Sequence, residues 1–361
     1  MKNITYLIGA GASAKALPMN ISSRELPNLI EALDKLASDF DKINRHLLDN
    51  IDGHRIEIKS QYQPYFEQRI IDLRWLSTEA KKHDSIDTYA HFLYVNQKRE
   101  ELIKLKKVLS FYFIFEQRIN RKIDKRPLNF LTKIMQKGPT FPENVKIISW
   151  NYDFQLQLAA TKFYKESKYD KRDATGTIYT TSIHRSLIQY FPALFNGPEN
   201  DAALYYSLVH MNGIAGHLYR RDSYKMNPLI DEKITDLNSL FDWETTEHGH
   251  ETMLTFAWEN DENDRYDIMG HLLHKEALSI VESIANNTDI LVIIGYSFPT
   301  DNRKFDRIIL NIMLSRIERI YIQNTSRYSN SLLKEFNIEG NIDVVYEENC
   351  DRYFIPPELA E

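Results

Sequence analysis

Near the start of the chain an apolar, β-rich run, Ile4 to Ile8, passes without a break into Gly9-Ala10-Gly11-Ala12-Ser13-Ala14. A run this short and this apolar suits a strand buried on both faces, the usual state of a strand inside a parallel sheet. The glycines that follow let the chain turn tightly at the strand's carboxyl end. Similar runs recur at Val145 to Ser149, Leu204 to Val209, Ile290 to Ile294, Arg319 to Gln323 and Ile342 to Tyr346. Helical periodicity separates them, in Leu26 to Phe40, Phe154 to Tyr164, His271 to Asn286, Lys304 to Ile317 and Ser331 to Phe336. Strands alternating with helices predict an α/β fold, a Rossmann-like, doubly wound parallel sheet.

The pattern breaks twice. From about 60 to 140 only the helical period is visible. Leu102 to Ile119 predicts one long helix, and Leu128 to Met135 a shorter one stopped by Gly138 and Pro139. This block reads as a large helical insertion, and 166–203 as a second, irregular one with a helical patch near His184 to Tyr190. The stretch 222–265 reads as charged loop. The whole of 1–361 is then one domain carrying insertions. Ser22 or Ser23 is expected to cap the first helix, with Glu25 in its first turn.

Composition narrows the function classes. Lys plus Arg is 45 against 51 for Asp plus Glu, so the chain has no overall basic footprint for nucleic acid. The local cluster Arg118, Arg121, Lys122, Lys125 and Arg126 reads as a solvated helix end. Cys350 is the one cysteine. It allows neither an internal disulfide nor a cysteine-rich zinc module, and it fits a reducing compartment. No leader pattern precedes the first strand, and no apolar stretch is long enough to span a bilayer. A soluble, cytoplasmic protein is expected.

The glycine turn matches G-x-G-x-x-G/A, the dinucleotide fingerprint. Gly9 permits the tight turn, Gly11 lets the backbone approach a pyrophosphate, and the small third residue permits close packing. Backbone N–H groups at the start of the next helix are expected to attract the anion. Glu25 and Glu31 bracket the distance at which a ribose-binding acid stands in such folds. Small or polar residues also end the later strands, at Ser149, at Gly295-Tyr296-Ser297-Phe298-Pro299 and at Asn324. Ligands of open α/β sheets bind at these carboxyl ends. His248 and His250, with Glu247 and Glu251, carry metal-ligating chemistry but no third ligand at a metalloprotease spacing, and read as a solvated turn.

Four segments now stand in order: Gly9-Ala10-Gly11-Ala12-Ser13, Trp150-Asn151-Tyr152-Asp153, Leu208-Val209-His210-Met211-Asn212-Gly213 and Gly295-Tyr296-Ser297. The set resembles the sirtuin family, with its GAG-x-S turn, N-x-D strand end, histidine closely followed by glycine, and late G-x-S turn. Its nearest likeness is to the divergent sirtuin-like domains of bacterial anti-phage defence proteins. The resemblance covers the sheet and not 60–140. It implies NAD as substrate, held by Gly9, Ala10, Gly11, Ala12, Ser13, Gly295, Tyr296, Ser297 and Asn324. It implies Asn151, His210 and Asp153 as the catalytic set, and a regulatory partner such as an ATPase or nucleotide-binding subunit, or a homo-oligomer. The sequence departs from the family in lacking the four zinc cysteines and the G-I-P-D-F-R segment, near whose place stands Leu17-Pro18-Met19-Asn20. It has H-M-N-G for H-G, and only an echo of the acyl-lysine groove in Phe256-Ala257-Trp258-Glu259.

The residues suit cleavage of the nicotinamide–ribose bond, whose transition state resembles that of glycoside hydrolysis. The amide of Asn151 can bond a ribose hydroxyl and orient a water. Asp153 can stabilise positive charge or position the nicotinamide amide. His210 is the candidate general base, having an ordinary pKa near neutrality. Four activities compete: an NAD glycohydrolase yielding linear or cyclic ADP-ribose; a deacylase or ADP-ribosyltransferase; an oxidoreductase; and a silent nucleotide sensor. An unrestrained NADase would empty its own cell, so a trigger, inhibitor or partner is expected. The aromatic helices around Tyr89 to Phe115 are equally a subunit contact or an ordinary core.

Overall fold

The apolar run after Asn3 is the central strand of a parallel sheet in a computed structural model of the protein. The structure describes residues 1–19, 28–135, 141–166, 190–191, 206–220, 225–228, 234–246, 250–259, 268–324, 336 and 342–359. The strands are β1 (Ile4–Ile8), β2 (Asn50–Ile51), β3 (His54–Arg55), β4 (Val145–Ser149), β5 (Tyr190–Phe191), β6 (Leu208–His210), β7 (Gly213–Arg220), β8 (Lys225–Pro228), β9 (His250–Leu254), β10 (Ile290–Ile294), β11 (Arg319–Gln323) and β12 (Asp343–Glu347). The first six helices are α1 (Leu29–Asn44), α2 (Gln63–Ala80), α3 (Ile86–Val95), α4 (Arg99–Ile114), α5 (Lys125–Ile134) and α6 (Gln155–Glu166). Later helices cover Leu237–Thr246, Ile268–Asn286 and Arg303–Leu314. None is long and apolar enough to cross a membrane, among the described residues.

The chain divides into two compact units. One comprises Met1–Lys15, Asp124–Gly213 and Thr255–Glu361, the other Ala16–Ile123 and Ile214–Leu254. The first holds a seven-stranded sheet in the order β12-β11-β10-β1-β4-β6-β5, with every neighbouring pair parallel. After β1 the chain builds outward on the β4 side, then returns to β1 and builds outward through β10. The direction of winding therefore reverses between β1 and β10, the position where open α/β sheets bind ligands.

β1, β4, β10 and β11 are buried on both faces, which explains their unbroken apolar runs, whereas the edge strand β12 is largely exposed. Ile4, Tyr6 and Ile8 point to one face and join Val145, Ile147, Val292 and Ile294 in a core with Phe130, Leu131 and Leu156 of α5 and α6. On the other face Thr5 bonds Thr288, hydroxyl to hydroxyl at 2.8 Å, and Leu7 is 2% exposed. Asp289 anchors the start of β1 by accepting from the Asn3 N–H at 2.8 Å, while Arg316 donates to its other oxygen at 2.9 Å.

The second unit differs from the expected 60–140 insertion in its boundaries. It begins at Ala16, ends its first segment at Ile123 and takes in Ile214–Leu254, so α5 stays with the sheet. α1 begins at Leu29, where Asn28 accepts from the Ile30 N–H at 2.8 Å and caps it; Ser22, Ser23 and Glu25 lie outside the described residues. The expected long helix is α4, followed by a π-turn at Phe115–Ile119. Its aromatics are core: Phe111, Tyr112 and Phe115 are at most 1% exposed, and the Phe40 ring centroid lies 5.0 Å from Phe66 and 5.1 Å from Phe115. Tyr89 is buried too; Phe92 and Val95 are the exposed apolar residues of α3. The stretch expected as charged loop carries β8, helix Leu237–Thr246 and β9, and β7 lies between β8 and β9 in a three-stranded sheet. Short strands with little alternation left no period to read there. His250 and Glu251 belong to β9. Glu247, His248, the patch His184 to Gln189 within 166–203, and helix Ser331 to Glu335 lie outside the described residues.

Candidate functional site

The sheet register gathers the expected segments. Ile8 is level with Ile294 on one side and Ser149 on the other, Ser149 is level with His210, and Ile294 with Gln323. The turns after β1, β4, β6, β10 and β11 therefore leave one carboxyl edge at one level. All belong to the sheet unit.

At the reversal point two glycine turns interlock. The Gly11 N–H donates to the Gly295 carbonyl at 2.9 Å, and the Ala12 N–H to the Gly9 carbonyl at 2.9 Å. A Cβ on Gly11 would lie 2.7 Å from Gly295 Cα; one on Gly295 would lie 2.4 Å from Ala12 N, and Gly295 has φ +57°. A Cβ on Gly9 would meet the Tyr296 ring at 2.5 Å. The glycines are thus required by turn-on-turn packing, whereas the sequence reading attributed Gly11 to the approach of a pyrophosphate. The turn itself continues as a four-residue 3-10 helix, Ala10–Ser13, and α1 starts only at Leu29. Among the described residues, the helix that follows the turn directly is this short 3-10 helix rather than an α-helix.

A buried ion pair braces the turn from below. Arg126, 5% exposed, donates to the Ala12 carbonyl at 2.9 Å and the Cys350 carbonyl at 3.1 Å, and pairs with Asp124 at 2.6 Å. The Tyr353 hydroxyl donates to the same Ala12 carbonyl at 2.8 Å. Arg126 is not part of a solvated helix end, because its guanidinium is buried against the Ala12 and Cys350 carbonyls and the Asp124 carboxylate.

Past β4 the expected catalytic residues meet. The Asn151 amide donates to the Ser13 hydroxyl at 3.3 Å, joining the first turn to the N-x-D segment. Asp153 accepts from the Gln155 N–H at 3.0 Å. Burial raises its pKa above the usual carboxylate value, opposed by the Gln155 N–H, the Ser13 hydroxyl and the Asn151 amide. His210 is 2% exposed, with Nδ1 3.2 Å from the Asn151 carbonyl and Nε2 2.7 Å from the Gln157 amide nitrogen. Burial pulls its pKa down to about 4, against the raising effect of that carbonyl. As folded, the imidazole is neutral at physiological pH.

The late turn divides its residues between support and surface. Tyr296 is 4% exposed, and its hydroxyl is 2.8 Å and 3.0 Å from the two Asp306 oxygens and accepts from Asn302 at 3.1 Å. The Trp150 ring stacks on it, 6.1 Å between centroids at 11°. Tyr296 is thus a buried strut. Burial raises the Asp306 carboxyl well above its ordinary pKa, opposed by the Tyr296 hydroxyl. Ser297 and Ala10 are exposed, and Gly11, Gly295 and Asn324 are half-buried. The Asn324 amide reaches the Tyr296 carbonyl at 3.5 Å.

Sequence reasoning missed Gln157, Asn212 and Thr255. Gln157 looked like one more helix residue, although Gln155 and Gln157 beside an N-x-D strand end are two amides in a buried place. The Thr255 N–H donates to the Asn212 carbonyl at 2.9 Å, and the Asn212 amide donates to the Trp150 carbonyl at 3.1 Å. This brings Thr255–Glu259 to the same edge, where Phe256 packs edge-on against Tyr152 at 5.8 Å. Gln157 Oε1, Asn212 Oδ1 and Thr255 Oγ1 are buried with no hydrogen-bond partner. Among the described residues no group of three or more His, Cys, Asp or Glu could hold a metal ion.

No family model matches the chain, and no curated protein matches it. Solved structures do. A Sir2Tm structure bound to a propionylated peptide matches at 11% identity and a TM-score of 0.39, over 96% of this chain and 88% of that one. A structure titled for the mechanism and regulation of Sir2 enzymes matches at 10% and 0.40, over 96% and 87%. A Sir2 complex with an inhibitor, 2'-O-acetyl-ADP-ribose and a deacetylated peptide matches at 11% and 0.39, over 96% and 89%. These are likenesses of chain course, and the functional reading rests on this chain's own residues.

Proposed function

We propose that this chain binds NAD over the carboxyl edge of its sheet and hydrolyses the nicotinamide–ribose bond. One observation carries the reading. Ser13, Asn151 and His210, which come from three distant segments, form a connected chain of contacts, Ser13 Oγ to Asn151 Nδ2 at 3.3 Å and the Asn151 carbonyl to His210 Nδ1 at 3.2 Å. In this reading the turn Gly9–Ser13 underlies the pyrophosphate, and Ser297 and Asn324 face the adenosine side. Asn151 holds a ribose hydroxyl and the attacking water, and Asp153 positions the nicotinamide carboxamide. The ribose C1'–N bond breaks, a C1'–O bond forms from water, and His210 takes the proton the water loses. Nicotinamide leaves, and ADP-ribose or a cyclic relative remains.

An enzyme with this activity has to be held silent until needed, since it destroys a metabolite of its own cell. We read the activity as released by a trigger acting through a partner, such as an ATPase or nucleotide-binding subunit, or through self-assembly. The motif set points to anti-phage defence as the setting. Incubating the purified chain with NAD and separating products tests the reading: nicotinamide and ADP-ribose in equal amounts support it. Acyl-ADP-ribose formed only with an acyl-lysine peptide makes the chain a deacylase, and NADH makes it an oxidoreductase.

A further inference from the structure

We propose that Gln157 is the positioning residue of His210: its amide holds the ring as the Nδ1-protonated tautomer, covers Nε2, and must turn before Nε2 can take a proton. Nδ1 faces the Asn151 carbonyl, an oxygen that only accepts, so Nδ1 carries the hydrogen. The buried ring is neutral, so Nε2 is a bare lone pair. The Gln157 side-chain nitrogen, 2.7 Å away, therefore donates N–H to it. That orientation explains why Gln157 Oε1 is buried without a partner. Turning the amide over now would set Oε1 against the bare lone pair of Nε2.

The same half-turn becomes favourable once the ring gains a proton. Nε2–H then donates to Oε1, and the imidazolium keeps its Nδ1–H bond to Asn151. Gln157 thus masks the base in one orientation and supports the conjugate acid in the other. A carboxylate at this position can only support the conjugate acid, and an aliphatic side chain can do neither. The pKa balance on His210 is set by burial and by the Asn151 carbonyl. Among the described side chains, the titratable ones on the elements packed against β6 are Lys146 on β4 and His274, Lys275, Glu276 and Glu282 on helix Ile268–Asn286, with Asp153 four residues beyond β4. The Nδ1 hydrogen follows from the Asn151 carbonyl and the bare Nε2 from the burial of the ring, whereas the use of Nε2 as base rests on the NAD-cleaving reading.

Nitrogen-15 NMR of the full chain labelled in histidine tests this, with the His210 signals identified by their loss in His210→Gln. At neutral pH the wild type should show a protonated Nδ1 and a bare, hydrogen-bonded Nε2. Gln157→Glu should give an imidazolium pattern at the same pH, because a carboxylate accepts from Nε2–H. In Gln157→Leu the ring should stay neutral while the Nε2 resonance moves to that of an unbonded lone pair. A wild-type ring protonated on Nε2 overturns the proposal, as does an Nε2 resonance unchanged in Gln157→Leu, the variant to read if Gln157→Glu does not fold. In NAD cleavage, the Gln157→Glu rate should fall about tenfold or more at neutral pH and recover at alkaline pH, one pKa unit being tenfold in free base. A flat ratio to wild type across pH contradicts it. Because the NMR signature needs no turnover, a chain that shows it and leaves NAD intact sinks the NADase reading and not the role of Gln157.

Discussion

Replacing Gly295 by alanine should damage the sheet edge far more than an alanine at an equally left-handed glycine elsewhere. Gly295 has φ +57°, and its new Cβ would lie 2.4 Å from both Ala12 N and Gly11 C, backbone atoms that no rotamer can move. The conformational penalty is about 1–2 kcal/mol, and overpacking against rigid neighbours adds about 1–3 kcal/mol. The sum is roughly 2–5 kcal/mol. Gly53 has φ +84° and nothing within 4 Å of its Cβ position, so Gly53→Ala carries only the first part. Urea unfolding read by hydrogen exchange of peptides from β1 and β10 for Gly295→Ala, and from β2 and β3 for Gly53→Ala, measures the two losses separately within their own units. Equal losses would refute the interlock, and so would a Gly295→Ala protein whose β1 and β10 peptides unfold with the wild type.

Arg126→Leu should destabilise the sheet unit by about 3–5 kcal/mol in denaturant titration, since it leaves the Asp124 carboxylate buried without its partner. Stability should fall as pH drops: the unfolded chain protonates His210 near 6.5 and the folded one only near 4, so the loss spans that window and reaches about 3 kcal/mol. Melts of His210→Gln across the same window should lack this component, and parallel curves would contradict the buried neutral ring. Elemental analysis of the purified protein should find no stoichiometric zinc; one ion per chain would revive the zinc-bearing deacylase alternative. Ser13→Ala should weaken NAD binding by about one hydrogen bond, roughly 1 kcal/mol, in calorimetry, and unchanged affinity would move the dinucleotide away from this turn.

The strands of the sheet were legible because burial on both faces forces unbroken apolar runs, and Ile4–Ile8, Val145–Ser149, Ile290–Ile294 and Arg319–Gln323 stand where their sequences placed them. The order of their turns was enough to bring Ser13, Asn151, Asp153 and His210 together, because a parallel sheet puts all carboxyl ends on one edge. What stayed hidden depends on contacts between segments far apart in sequence. Nothing local in Asp124 or Arg126 says that a turn 115 residues earlier needs its carbonyls satisfied. Gln157 sits on a helix whose period hides its side-chain contact with a histidine 53 residues on. A second reason for Gly11 stayed hidden in the same way: its missing Cβ makes room for Gly295, in the turn after β10, which meets the first turn only in the folded sheet.

The central claim is that Ser13, Asn151 and His210 surround the bond that breaks, and nicotinamide release by the single variants tests it most directly. NAD should be supplied to wild type, Asn151→Ala, His210→Ala and the double variant, each folded by circular dichroism and each tested with the partner or trigger that activates the wild type. Each single variant should lose about 10²–10⁴-fold in rate while retaining much of its NAD affinity, and the double variant should be hardly worse than either, as expected of groups acting as a unit. Wild-type rates in both single variants would contradict the account.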